Sequence, residues 1–377
     1  MNKSICFVTA APATIDAFLR QHILSLAEDN IVTIVTDLRD GELSFPAHVI
    51  QKDFYISRKI SIWSDIKSLL GLLFLFGQSR FDLVISVTPK AGLLAMISSF
   101  FCRVPVRIHW FTGQVWATKT GLIRSVLKGC DKITSLTATK LLADSQSQVN
   151  FIVQEKVASA KKLQMIHKGS ISGVDLNRFS VNNEARVIVR EQIGASSSDV
   201  LFLFLGRLNR DKGVLDLAVA FSALAESRGD IRLAFIGPDE EGLTEEISVI
   251  CKPCIERVYF KGFTDKPEHF FSAADVFVLP SYREGFGTSV IEAAAAAVPC
   301  IGSDIYGLSD AIVDQQTGQL FTCGDVAALG KAMERLVQDM ELRRVMGQNA
   351  KARVERDFDS KFITEKFVDY LKNSMSE

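Results

Sequence analysis

The chain has 377 residues, 47% of them hydrophobic and 23% charged, with 43 Lys and Arg against 44 Asp and Glu for a formal net charge of −1. That length is long for one core and natural for two domains, and the hydrophobic fraction argues against a disordered chain. The first residues, Met1-Asn2-Lys3, lead straight into an apolar run, so no secretion signal is expected. The pattern predicts strands over 5–9, 31–36, 82–86 and 106–110, with a helix over about 15–28. The apolar runs 62–76 and 93–101 are too short to span a bilayer and read mainly as core helices. The polar stretch Ser180-Val181-Asn182-Asn183-Glu184 is the expected linker, dividing domains at 1–180 and 181–377. A second set of strands follows at 200–205, 232–237, 258–260, 276–279 and 299–302, with an amphipathic helix over 214–227. Strands alternating with helices in both halves imply two parallel sheets covered on both faces. A last helix is expected over about 357–371.

Seven cysteines (Cys6, Cys102, Cys130, Cys251, Cys254, Cys300 and Cys323) are scattered along the chain. The odd count and the missing signal read as reduced thiols in a cytosolic protein. Cys251-Lys252-Pro253-Cys254 has metal-like spacing, but no second ligand pair stands near it, so chance is the better reading.

The most informative stretch is Glu284-Gly285-Phe286-Gly287-Thr288-Ser289-Val290-Ile291-Glu292. It follows an expected strand that stops at Pro280 and precedes an alanine-rich helix. Glu284 therefore falls on a strand-to-helix loop and Glu292 about one turn into the helix. Gly287 and Thr288 fall between them, where a helix start offers unpaired N–H groups and a positive dipole end. That arrangement suits a phosphate flanked by carboxylates for sugar hydroxyls. Helix capping alone is the structural alternative. Upstream, 200–205 ends in Gly206-Arg207, and Lys212-Gly213 occupy the next loop. Two cations at the carboxyl end of a parallel strand make an anion site for a diphosphate; as isolated residues they read as solvated loop charges.

Together these segments resemble the retaining glycosyltransferases of family 4, which have the GT-B fold. The resemblance covers most of the chain. Its strongest pieces are Gly206-Arg207-Leu208 with Lys212-Gly213, then Phe235-Ile236-Gly237, Gly262-Phe263-Thr264, 275–281, the E-x7-E element, and Ile312-Val313-Asp314 with Thr317-Gly318. It implies two Rossmann-like doubly wound domains facing an interdomain cleft, the first taking the acceptor and the second the nucleotide-sugar, with the terminal helix crossing back to the first. It implies that Arg207 and Lys212 hold the donor diphosphate, that Glu284 contacts donor-sugar hydroxyls, and that Glu292 bonds the ribose. The string 107–117, Arg-Ile-His-Trp-Phe-Thr-Gly-Gln-Val-Trp-Ala, is similar to one found in enzymes that build bacterial surface polysaccharides or lipid-linked oligosaccharides. That likeness makes His109 a catalytic candidate across the cleft from Glu284; a satisfied structural histidine is the alternative. The loop Thr9-Ala10-Ala11-Pro12-Ala13-Thr14 lacks the family's glycine pair, so no role is carried over to it.

Neither half has G-x-G-x-x-G after its first strand, which disfavours a dinucleotide-dependent oxidoreductase or epimerase. The intact Arg207, Lys212, Glu284 and Glu292 argue against an inactive binding subunit. No D-x-D is placed to hold a metal at the diphosphate, so a metal-independent enzyme is expected. Its donor is expected to be a UDP-linked N-acetylhexosamine or hexose, and its acceptor a polyprenyl-diphosphate-linked saccharide. Residues 1–178 hold 21 Lys and Arg against 13 Asp and Glu, while 179–377 hold 22 against 31. A basic first domain suits the inner face of the cytoplasmic membrane, with Arg58, Lys59, Trp63 and Lys67 at the interface. No basic helix or stacking motif points to nucleic acid.

Overall fold

The computed structural model describes residues 3–57 and 61–376. Arg58 and Lys59 lie outside them. The chain divides into two compact units, Met1–Ser172 with Ser360–Glu377, and Gly173–Asp359. The division thus falls before the polar stretch at 180–184. That stretch enters a helix: the Asn182 side chain accepts from the Ala185 N–H at 2.9 Å and caps Asn183–Ile193.

The first unit holds seven parallel strands: β1 (Ser4–Val8), β2 (Ile31–Thr36), β3 (Ile50–Asp53), β4 (Leu83–Val87), β5 (Val106–Phe111), β6 (Lys140–Ala143) and β7 (Leu163–Met165). Their order in the sheet is β3-β2-β1-β4-β5-β6-β7. Alternation along a strand sends residues to opposite faces. In β1, Ile5 and Phe7 pack with Ile108, Trp110 and Phe367 on one face, while Cys6 and Val8 pack with Leu72, Met96 and Leu141 on the other.

The second unit holds β8 (Val200–Leu205), β9 (Ile231–Ile236), β10 (Val258–Lys261), β11 (Val276–Leu279), β12 (Cys300–Ser303) and β13 (Gly318–Phe321), all parallel, in the order β10-β9-β8-β11-β12-β13. The runs VLFLFL and IRLAFI are buried almost throughout, as strands covered on both faces must be. The chain winds outward from β8 through β10, then returns to β11 and winds the other way. The reversal between β8 and β11 leaves a crevice outside their carboxyl ends, the position where open parallel sheets bind ligands. The corresponding reversal in the first unit lies between β1 and β4.

The helix Ser360–Ser376 belongs to the first unit. It docks through Ile363, Phe367 and Leu371 and through the buried His22. The His22 ring bonds Thr364 Oγ1 at 2.9 Å and the Ile171 carbonyl at 2.7 Å, and it stacks on Trp110. The helix starts at 360 because the preceding helix, Met340–Asp357, ends at Phe358 with non-helical backbone. Among the described residues no helix is long and apolar enough to cross a membrane.

Candidate active site

Because β8 and β11 are neighbours, the loops that leave them meet, although Lys212 and Glu284 are 72 residues apart. After β8 the chain makes a short 3-10 turn, Arg210–Lys212, whose entry is fixed by Asn209 Oδ1 accepting from the Lys212 N–H at 3.1 Å. Gly213 closes the turn at φ +67°, and a Cβ there would lie 2.1 Å from the Pro280 carbonyl oxygen. Only glycine lets the turn sit against the end of β11. The β11 loop is stitched to the same turn: the Tyr282 N–H donates to the Asp211 carbonyl at 2.8 Å, and Arg283 reaches the Asp211 carboxylate at 3.5 Å.

This frame brings Lys212 and Glu284 together. Lys212 Nζ lies 2.5 Å from Glu284 Oε1, with their side chains 20% and 12% exposed. Ser281 Oγ donates to the same oxygen at 2.8 Å. The lysine is therefore an anchor for Glu284 as well as a charge at the crevice. Arg207 is far more open and shares its guanidinium with Glu240, at 3.1 and 3.2 Å from the two carboxylate oxygens. Asn209 Nδ2 donates to Glu240 at 3.1 Å. Glu240 was not singled out from the sequence. Its only signal there is the acidic run Asp239-Glu240-Glu241 after β9, which marks no partner.

Gly287 stands at φ +82° immediately before the helix Thr288–Ala295, and a Cβ there would strike Leu308 at 2.6 Å. Thr288 opens the first turn, where N–H groups lack intrahelical partners. Glu292 follows one turn on. Burial raises its carboxyl to about 7; Arg178 opposes that shift and Glu268 adds to it. The residue as a whole is half-buried. Arg178 is itself held by Glu268 at 3.0 Å and by the Asp265 carbonyl at 2.8 Å. This pair was another omission of sequence reading, since 178 and 268 share no motif. Enclosure thus favours the neutral form of Glu292 more than for an ordinary surface carboxyl.

His109 lies in the first unit, on β5, and is 1% exposed. Its Nδ1 bonds Ser86 Oγ at 2.9 Å, its ring meets Phe111 edge to face at 4.5 Å, and Gly92 of the helix Pro89–Phe101 packs directly on it. Burial lowers its pKa to about 3, so the imidazole is neutral at physiological pH. Thr88, between Ser86 and that helix, takes φ +75°, a strained value for a residue with a side chain. The two tryptophans of the string are core anchors. Trp110 is buried against His22 and Phe367, and Trp116 Nε1 donates to the buried Asp131 at 2.7 Å. Cys251 and Cys254 are buried free thiols, and burial raises both, Cys251 to about 12. Among the described residues no group of three or more His, Cys, Asp or Glu could hold a metal ion.

Two parallel doubly wound units, with cations and acids gathered where one sheet reverses, define the GT-B glycosyltransferase class. Residues 186–353 match the family model described as glycosyl transferases group 1. The chain is 31% identical over 334 residues to the capsular polysaccharide biosynthesis glycosyltransferase CapM of Staphylococcus aureus, covering 88% of this chain and 86% of that one. It is 24% identical over 308 residues, 81% and 78% of the two chains, to the Escherichia coli UDP-Gal:alpha-D-GlcNAc-diphosphoundecaprenol alpha-1,3-galactosyltransferase. Its fold superposes on Anabaena HepE, solved in complex with UDP, with a TM-score of 0.80 at 17% identity over 99% of this chain and 100% of that one. The chain belongs to the group 1 glycosyl transferases, and it is a glycosyltransferase.

Proposed function

We propose that the protein transfers a hexose or N-acetylhexosamine, with retention at the anomeric carbon, from a UDP-sugar to a polyprenyl-diphosphate-linked saccharide during assembly of a bacterial surface polysaccharide. The observation that carries the donor half is the joining of Lys212 and Glu284 at the reversal of the second sheet, with Arg207 on the same loop after β8. A diphosphate needs cations and helix N–H groups, and a sugar needs a fixed carboxylate; this crevice has all of them. The relatives support the rest: one is named for capsular polysaccharide, another for a UDP-sugar donor and a diphosphoundecaprenol acceptor, and a structural neighbour was solved with UDP.

In this reading Arg207 leaves Glu240 for the diphosphate, and Lys212 bridges Glu284 and the β-phosphate. Gly287 and Thr288 present the helix start to the phosphates, and Glu292 bonds the ribose diol. The bond from the anomeric carbon to the β-phosphate oxygen breaks as the acceptor oxygen bonds that carbon on the same face. The acceptor proton passes to the departing phosphate. Charge on the leaving group is stabilised by Arg207, Lys212 and the helix dipole without a metal. His109 contributes as a neutral hydrogen-bonding ring, since it is uncharged at working pH. The enzyme works at the inner face of the cytoplasmic membrane as a peripheral protein.

The test is a screen of UDP-sugars with a polyprenyl-diphosphate disaccharide and, separately, with soluble saccharides, in the presence and absence of EDTA. Transfer to the lipid-linked acceptor that persists in EDTA is expected. Turnover only with a soluble acceptor, or complete loss on chelation restored by Mg²⁺, contradicts the reading.

A further inference from the structure

Three acids follow β9, and their partners separate them. Asp239 holds the start of the helix Leu243–Ile250: its carboxylate accepts from the Leu243 and Thr244 N–H groups, each at 2.9 Å, and from Thr244 Oγ1 at 2.7 Å. Glu241 Oε2 accepts from the Arg210 N–H at 3.2 Å. Glu240 faces the Arg207 guanidinium instead, and its place there is built by the backbone. The loops after β8 and β9 are zipped together. The Gly206 N–H donates to the Ile236 carbonyl at 2.9 Å, the Leu208 N–H to the Pro238 carbonyl at 2.9 Å, and the Glu240 N–H to the Leu208 carbonyl at 3.1 Å. The approach needs Gly237, at φ +139°, where a Cβ would lie 2.0 Å from the Gly206 carbonyl oxygen. Asn209 ties the carboxylate to the turn that presents Lys212: its Oδ1 accepts from the Lys212 N–H and its Nδ2 donates to Glu240 Oε2, both at 3.1 Å.

The two ion pairs after β8 differ in strength. Lys212 and Glu284 are close and enclosed, with side chains 20% and 12% exposed. Between Arg207 and Glu240 a single nitrogen, Nη1, reaches both oxygens at 3.1 and 3.2 Å, and the side chains are 57% and 40% exposed. Water screens so open a pair, which contributes little and exchanges readily. A phosphate offers a guanidinium more acceptor oxygens and a stronger charge-assisted contact than one exposed carboxylate does. We infer that Glu240 is an internal competitor of the donor diphosphate: its carboxylate occupies Arg207 before the donor binds and recaptures it as UDP leaves. The inference rests on the donor site proposed above and adds the residue that sets how tightly the nucleotide is held and how fast it departs. A competitor built into the site lowers the apparent affinity by the share of molecules in which it holds the arginine. Glu240 acts through Arg207 and is a positioning residue.

Calorimetric titration of UDP into the parent, Glu240→Gln, Arg207→Ala and the double variant tests this, with UDP dissociation followed by stopped-flow displacement. Glu240→Gln keeps the backbone bonds and an oxygen for Asn209 but loses the charge. It should lower the UDP Kd about two- to fivefold, the range spanned by exposed ion pairs, and slow UDP dissociation. In the Arg207→Ala background the same change should have no effect, because no guanidinium is left to contest. Glu241→Gln removes an equal charge one residue away and should change the Kd less. A UDP Kd that Glu240→Gln leaves unchanged or raises, in a protein where Arg207→Ala weakens UDP, overturns the inference and leaves the donor site standing. A gain that persists without Arg207, or that Glu241→Gln reproduces in full, also overturns it, since loss of negative charge alone would then explain the effect. An Arg207→Ala variant that binds UDP as the parent does ends both readings.

Discussion

Lys212 and Glu284 illustrate how a residue's role depends on its partner. Each is assigned, in the proposed function, to a different part of a nucleotide-sugar, yet at 2.5 Å they are one unit. Removing the lysine leaves an enclosed carboxylate with the Ser281 hydroxyl but without its cation. Lys212→Ala and Glu284→Gln should each lower kcat/KM by about ten- to a hundredfold, from contacts worth about 1.5–3 kcal/mol. The double variant should fall short of their product, with a coupling of about 1 kcal/mol or more. Strict additivity in a double-mutant cycle would show that the two act separately. Glu292 sets a second expectation. A carboxylate accepts from ribose hydroxyls better than a carboxylic acid, and burial holds this one at about 7. UDP affinity should therefore rise as pH increases through 7, with proton release on binding. Glu292→Gln should remove that component, leaving only UDP's own titration. Calorimetry in buffers of different ionisation enthalpy reads the difference, and an identical pH profile in parent and variant would contradict it.

At the scale of elements, the terminal helix Ser360–Ser376 depends on a histidine that must stay neutral. Burial lowers His22 to about 4, although its bond to the Ile171 carbonyl opposes the shift. A histidine depressed in the folded state contributes stability that is present above its unfolded pKa of about 6.5 and lost as pH falls toward its folded value. The drop approaches about 3 kcal/mol near pH 4. The protection of this helix's amides, taken relative to their intrinsic exchange rates, should fall between pH 6.5 and 4, and His22→Gln should flatten that dependence; equal acid sensitivity in the variant would remove His22 as the cause. The long apolar strands β1, β2, β4, β5, β8, β9 and β11 were legible because each carries its own apolar run. The short strands β3, β6, β7 and β13, with segments IQKD, KLLA, LQM and GQLF, were not. All but β6 lie at sheet edges, where pairing with one neighbour decides the conformation; β6 is too short to carry a pattern of its own and is held between β5 and β7. The acids and cations of the crevice were legible from spacing to a strand end. Their pairing was not, because it follows from strand order, as do Glu240 against Arg207 and Arg178 beside Glu292.

The whole molecule is built of two compact units of opposite charge. The second, acidic overall, joins Lys212 to Glu284 at its sheet reversal. The first, basic overall, exposes apolar helices and buries a neutral histidine. The central claim is that the reversal between β8 and β11 holds the donor diphosphate. Titration of UDP into the parent and into Arg207→Ala tests it most directly, because Arg207 is exposed and its loss should not disturb the fold. A charge-assisted contact to phosphate predicts a rise in Kd of about ten- to a hundredfold, with the folded state unchanged by melting temperature. An Arg207→Ala variant that binds UDP as tightly as the parent would contradict the account.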